Sequence, residues 1–138
     1  MRPGPGREVV VTALLALAWV AAWTLGSIQE YAPHASLWFP PAGLTFAALA
    51  VLGPRAVPGV SAAAVLVTLR LGEFYSVDYD LGALLVAGAL FATAHVGAFG
   101  LGAAALRRWS GSSVPHAVTA FLVVAPVSAA LAAAGGPV

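Results

Sequence analysis

Long apolar runs, broken by short charged or proline–glycine segments, organise this chain. Between Glu8 and Glu30 lies an uncharged run, Val9–Gln29, of 21 residues. As a helix rising about 1.5 Å per residue it would measure about 30 Å, the thickness of a bilayer's hydrocarbon core. A second uncharged run covers Tyr31–Pro54, a third, Ala56–Leu69, ends at Arg70, and a fourth, Leu81–Leu106, has 26 residues. A fifth apolar stretch occupies Ala117–Ala134. The pattern predicts an all-α, polytopic integral membrane bundle of about five transmembrane helices, near 9–28, 36–53, 57–72, 82–106 and 117–134, in a single domain. Arg2 and Arg7 precede the first run as they would in a secretory signal. That run outlasts a signal core of roughly 7–15 residues and further spans follow, so an uncleaved anchor is expected.

Composition sharpens the class. The chain is 61% hydrophobic and 8% charged, where a soluble domain carries about 25% charged residues. Lipid is therefore the expected solvent and the bilayer the first partner. A net charge of +1 gives no basis for a nucleic-acid partner. Without cysteine, disulfides, thiolate catalysis, cysteine-ligated zinc and iron–sulfur clusters are excluded. All positive side chains are arginine, which with the Ala, Val, Leu, Gly and Pro load points to a GC-rich bacterial genome.

Charge placement predicts orientation. Arg2 and Arg7 precede span one, Arg55 separates spans two and three, and Arg107–Arg108 follow span four; with alternating spans these share one side. Glu30, Glu73, Asp78 and Asp80 take the other. The positive-inside rule makes the arginine side, and the N-terminus, cytoplasmic in a multi-pass inner-membrane protein. Arg70 falls on the outer side, where it can snorkel and pair with Glu73 three residues on. The outer edge also gathers Trp23, Tyr31, Trp38, Phe39, Phe74, Tyr75 and Tyr79. These rings read as an interfacial belt, with a ligand-stacking box as the alternative.

The most distinctive segment is Trp38-Phe39-Pro40-Pro41-Ala42-Gly43, followed by a small-and-aliphatic run and then Gly53-Pro54-Arg55 and Pro58-Gly59. Proline is pre-set for the first turn of a helix. From Pro41 to Leu52 is 12 residues, about 18 Å of helix and too short to cross a bilayer. Either the helix begins near Ala35 and kinks at the prolines, or it starts below the outer edge after an extended lead-in. A shallow outward cavity, with a helix N-terminus suited to an anionic or carbonyl ligand, is consistent with both; a proline-started helix with no ligand is the plainer reading. At the inner end, Gly53–Gly59 predicts a tight turn joining spans two and three as an antiparallel hairpin.

This segment, from about Ser36 to Ala64, resembles the first type of bacterial membrane-associated sensor domain, the MASE family. Here Phe39 stands between the tryptophan and the prolines, there are fewer spans than in the family, and no kinase or cyclase motif occurs, so the resemblance is to a partial or truncated form. It implies an integral-membrane input module acting on a cytoplasmic effector, a histidine kinase or a cyclic di-GMP enzyme, in cis or in trans. On this reading Trp38, Phe39, Pro40, Pro41 and Gly43 would sense an unknown small-molecule ligand or membrane condition, with Arg70 and His95 as polar partners. Alternatives are a small transporter or substrate-binding membrane subunit, or a remnant without activity.

His95 is the single ionisable group deep within a span. Such a residue is either functional or an imidazole hydrogen-bonded to a neighbouring helix. A haem would want a second axial ligand, yet His34 and His116 fall near opposite edges and Met1 is terminal. No cofactor or metal is expected. Gly88 with Ala92, and Ala94, Ala98 and Gly102, place small residues at four-residue spacing, for close packing within the chain or along a homodimer seam. Glu73, Asp78 and Asp80 read as a solvated loop, the serines lack a nucleophile-elbow context, and the glycines lack the strand a phosphate loop requires. No catalytic residues, and no enzyme activity, are expected.

Overall fold

The computed structural model describes residues 5–28, 30–32, 35–36, 39–109 and the isolated positions 127 and 130. The expected fifth span at 117–134 therefore lies outside the described residues, two helical positions aside, and so does Trp38. The elements are helix α1 (Pro5–Ser27), strands β1 (Glu30–Ala32) and β2 (Ala35–Ser36), helix α2 (Pro40–Leu52), a 3₁₀ turn (Gly53–Ala56), and helices α3 (Val57–Leu69), α4 (Leu71–Tyr75) and α5 (Leu81–Trp109). The fold is helical, with one short antiparallel ribbon pairing Glu30 with Ser36 and Ala32 with Ala35.

Three helical stretches are long and apolar enough to cross a membrane: Gly6–Ser27, Pro40–Leu69 and Leu81–Arg108. The middle stretch is not one straight rod. At its centre Gly53 adopts φ 61°, ψ −139°, a left-handed backbone that glycine enters without a Cβ clash. The contacts then give the direction of each arm. Trp19 meets Thr45 of α2. Gly59, at the start of α3, abuts Thr12 and Leu15, and Phe74, just past α3, stacks on Trp23. Partners on α1 thus climb from 12 to 23 along α3, so α3 runs parallel to α1. Gly88 sits against Val65 and Thr68 near the end of α3, whereas His95 and Arg107 meet Thr45 and Leu49 of α2. Helix α2 therefore descends beside α5, and the turn at 53–56 reverses the chain.

The result is an up-down-up-down bundle in which α2 and α3 each pack on both α1 and α5. Arg7, Arg55, Arg107 and Arg108 gather at one end, and Glu30, Glu73 and Asp80 at the other. Small residues let the helices approach closely. The core contains Leu15, Trp19, Phe46, Leu49, Ala56, Val60, Ala63, Ala64, Val67, Ala92, Phe99 and Ala103. The outward faces are equally apolar: Val9, Leu14, Leu17 and Leu25 on α1, Val51 on α2, Leu66 on α3 and Leu85, Val86, Leu90 and Leu101 on α5 are exposed. A bundle greasy on both faces is suited to lipid rather than water.

Local chemistry sets the boundaries. Pro40 and Pro41 take the first positions of α2, where a missing N–H costs nothing. Asp80 caps α5, its Oδ2 accepting the Ala83 N–H at 2.9 Å, the arrangement favoured for an N-cap acid. Thr24, Thr68 and Thr93 return their hydroxyls to the carbonyls of Val20, Ala64 and Ala89, which satisfies a polar group inside an apolar helix.

Candidate functional site

The start of α2 lies slightly short of the acidic end of the bundle, Pro40 being five residues above Thr45. Thr45 is level with Trp19, while the acidic end of α1 is reached eight residues later at Ser27. Of the two openings considered for this helix, the structure has the recessed one: residues 35–36 are in the ribbon and the helix begins at Pro40. The lead-in ends on Phe39, whose ring is half-exposed.

Below it lies a polar chain drawn from three helices. Trp19 Nε1 donates to Thr45 Oγ1 at 2.9 Å, and the same oxygen lies 3.0 Å from His95 Nε2. A hydroxyl has one proton and two lone pairs. It therefore accepts from the indole and still pairs with the imidazole, the proton lying on either side according to the tautomer. All three are sealed from the surroundings: Trp19 and Thr45 are 0% and His95 3% exposed. Among the described residues no buried side-chain nitrogen or oxygen lacks a partner.

Aromatic rings surround the imidazole. Centroids of Phe99, Phe91, Trp19 and Phe39 lie 4.7, 5.2, 5.9 and 6.1 Å from that of His95. Trp19 also meets Phe39 and Phe91 edge-on, a geometry that adds about 0.5–1.5 kcal/mol per pair beyond area burial. His95 is thus a residue hydrogen-bonded to a neighbouring helix, and its partners tie α1, α2 and α5 together at one level.

The expected site residues divide. Phe39, Pro40, Pro41 and His95 converge here, with Pro41 buried. Gly43 is on the open side of α2, where a Cβ would meet nothing within 4 Å. Arg70 stands apart from this cluster. Its guanidinium bonds Glu73 at 2.8 and 3.1 Å on the exposed acidic end, because the α3–α4 junction carries it past the bundle core; this is the pairing the sequence predicts. On α5, Gly88, Ala92, Ala98 and Gly102 are buried and Ala94 partly so. Gly88 faces α3 so closely that a Cβ would lie 3.3 Å from Val65 Cα and Thr68 Cβ.

Two participants escaped the sequence reading, Trp19 and Thr45. Their signal was depth: both sit within apolar runs, where a donor or hydroxyl must find a partner. At the acidic end, Tyr75 donates to Glu30 Oε2 at 2.8 Å and Oε1 at 3.0 Å, tying the ribbon to α4. Among the described residues no three His, Asp or Glu side chains converge to hold a metal ion. Comparison with protein families, with characterised proteins and with solved structures returned no match to this chain.

Proposed function

We propose that this chain is a sensory input module of the bacterial inner membrane. It spans the bilayer several times with its N-terminus and arginine-bearing end in the cytoplasm, the segment 117–134 adding a fifth span. A ligand from the outer side, or a change in the membrane itself, acts at the recessed start of α2 and biases a cytoplasmic effector, a histidine kinase or a cyclic di-GMP enzyme. The observation that carries this reading is the Trp19–Thr45–His95 chain beneath Phe39 and Pro41. A polar network inside an apolar bundle is a high-stakes arrangement, strong when complete and costly when broken. On this reading a stimulus favours a second packing in which the network is rearranged, and it shifts that equilibrium only through unequal affinity for the two. The aromatic-Pro-Pro-Ala-Gly resemblance supports the same reading from the sequence.

The test is a fusion of the full chain to a kinase or cyclase reporter. Pro41→Ala and Gly43→Leu are expected to change output at normal expression. Since Gly43 faces open space, its substitution probes the mouth rather than the core. Unchanged output with both variants would remove the sensing role. An intramembrane histidine beside a helix that starts within the bundle also suits a transporter; uptake of solute into vesicles containing the protein would favour that reading instead.

A further inference from the structure

We infer that Arg107 is the positioning residue that couples the recessed cluster to the arginine-bearing end of α5. The inference deepens the sensing reading above and rests on it for its biological sense, though not for its test.

Helix α2 is bounded by a break at each end. Pro40 and Pro41 open it without any side-chain cap, and Gly53 closes it in a conformation no helix contains. It is therefore a rod of 13 residues, about 20 Å long, opened by two prolines and followed by the 3₁₀ turn Gly53–Ala56. Its upper half holds Thr45, bonded to Trp19 and His95. Its lower half holds Leu49, whose carbonyl accepts the Gly53 N–H and also an N–H of the Arg107 guanidinium, reaching across from α5 in a half-buried contact. After accepting the Gly53 N–H that carbonyl keeps a second lone pair, and the helix C-terminus carries partial negative charge. An arginine supplied by a neighbouring helix answers both with a charge-assisted bond.

Two fixed points thus join α2 to α5: Thr45 with His95 near mid-bundle, and Leu49 with Arg107 near the end. Displacing the upper point moves the rod, and the lower point hands that movement to the last turn of α5. Arg55, Arg107 and Arg108 are all exposed residues at the same end, so neither charge nor exposure singles out Arg107; its bond to Leu49 does.

The test is hydrogen–deuterium exchange on the full chain in nanodiscs, reading residues 49–56. Phe39→Ala loosens the ring that leans on Trp19 and His95, far from this segment. It is expected to raise exchange at 49–56 by about fivefold or more, the lower bound of ordinary site-to-site coupling. In an R107Q background the same change is expected to have less than about a twofold effect, and R107K, which keeps a charged donor, to restore part of the response. A purely local capping role would instead give additive effects, with Phe39→Ala acting equally in both backgrounds. That result overturns the inference. If R107Q does not fold, the parent background decides: no rise at 49–56 after Phe39→Ala also overturns it. Failure here leaves the reporter outcome for Pro41 and Gly43 untouched, so the two ideas fall separately.

Discussion

Replacing Thr45 by valine removes one oxygen from the centre of the bundle and leaves the shape nearly intact. That oxygen serves two partners on two other helices, so the Trp19 indole N–H and His95 Nε2 lose their shared partner in a fully buried site. In membrane bundles an interhelical hydrogen bond contributes about 0.6 kcal/mol on average and about 1.7 at most. Two such bonds give a loss of about 1–3 kcal/mol. Thr45→Ser keeps the hydroxyl and drops a methyl group, costing about 0.8 kcal/mol of burial. Serine is therefore expected to be the milder change although it removes more packing. The assay is reversible unfolding in mixed detergent micelles titrated with SDS, followed by tryptophan fluorescence. A cycle with Trp19→Phe isolates the pair and is expected to return a positive coupling energy of about 0.6–1.7 kcal/mol. If Thr45→Val matches the parent within about 0.3 kcal/mol, or serine proves the worse substitution, the polar chain does not hold the three helices and its candidacy as a two-state element goes with it.

Further outcomes follow from single positions. Gly59→Leu drives a side chain into a place where even a Cβ would lie 2.9 Å from the Thr12 carbonyl and 3.2 Å from Leu15 Cβ; it is expected to cost about 1–3 kcal/mol in the same SDS titration, whereas Gly43→Ala, with open space around it, is expected to change little. Asp80→Ala removes the N-cap of α5 and is expected to cost about 1 kcal/mol, read as lower helicity or a lower SDS midpoint. Arg70→Ala breaks only an exposed ion pair, which contributes little, and is expected to leave both stability and reporter output unchanged; a loss of output would return Arg70 to the site.

Charge spacing carried most of the topology, because a charge in hydrocarbon is costly enough to confine arginine and acid to helix ends. The reversal at 53–56 was legible for a similar reason: proline and glycine leave few backbone options. The recess of α2 was legible only as an alternative, since Pro40 and Pro41 open a helix without saying at what depth. Gly59 was read as turn punctuation, yet it is buried in α3 against α1; one residue type signals both a turn and a close approach, and only the partner distinguishes them. The hydrogen-bonded chain could not be assembled from sequence, because its members stand 26 and 50 residues apart and no periodicity links them. Trp19 and Thr45 offered depth as a clue, Trp19 lying further into its run than Trp23, which the sequence assigns to an interfacial belt. The sequence left Arg70 open between snorkelling and serving a site, since an arginine near a span end suits either; the structure adds its pairing with Glu73.

The proposed alternation of the four helices across a membrane is open to direct measurement because the chain has no cysteine of its own. Single cysteines at Gly6, Arg55 and Ser76, labelled in intact cells with a membrane-impermeant maleimide, sample both ends of the bundle and the reversal between α2 and α3. The expected result is labelling of Ser76→Cys from outside, and of Gly6→Cys and Arg55→Cys only after the membrane is opened. Labelling of Arg55→Cys together with Ser76→Cys, or of Gly6→Cys and Arg55→Cys from opposite sides, would contradict it.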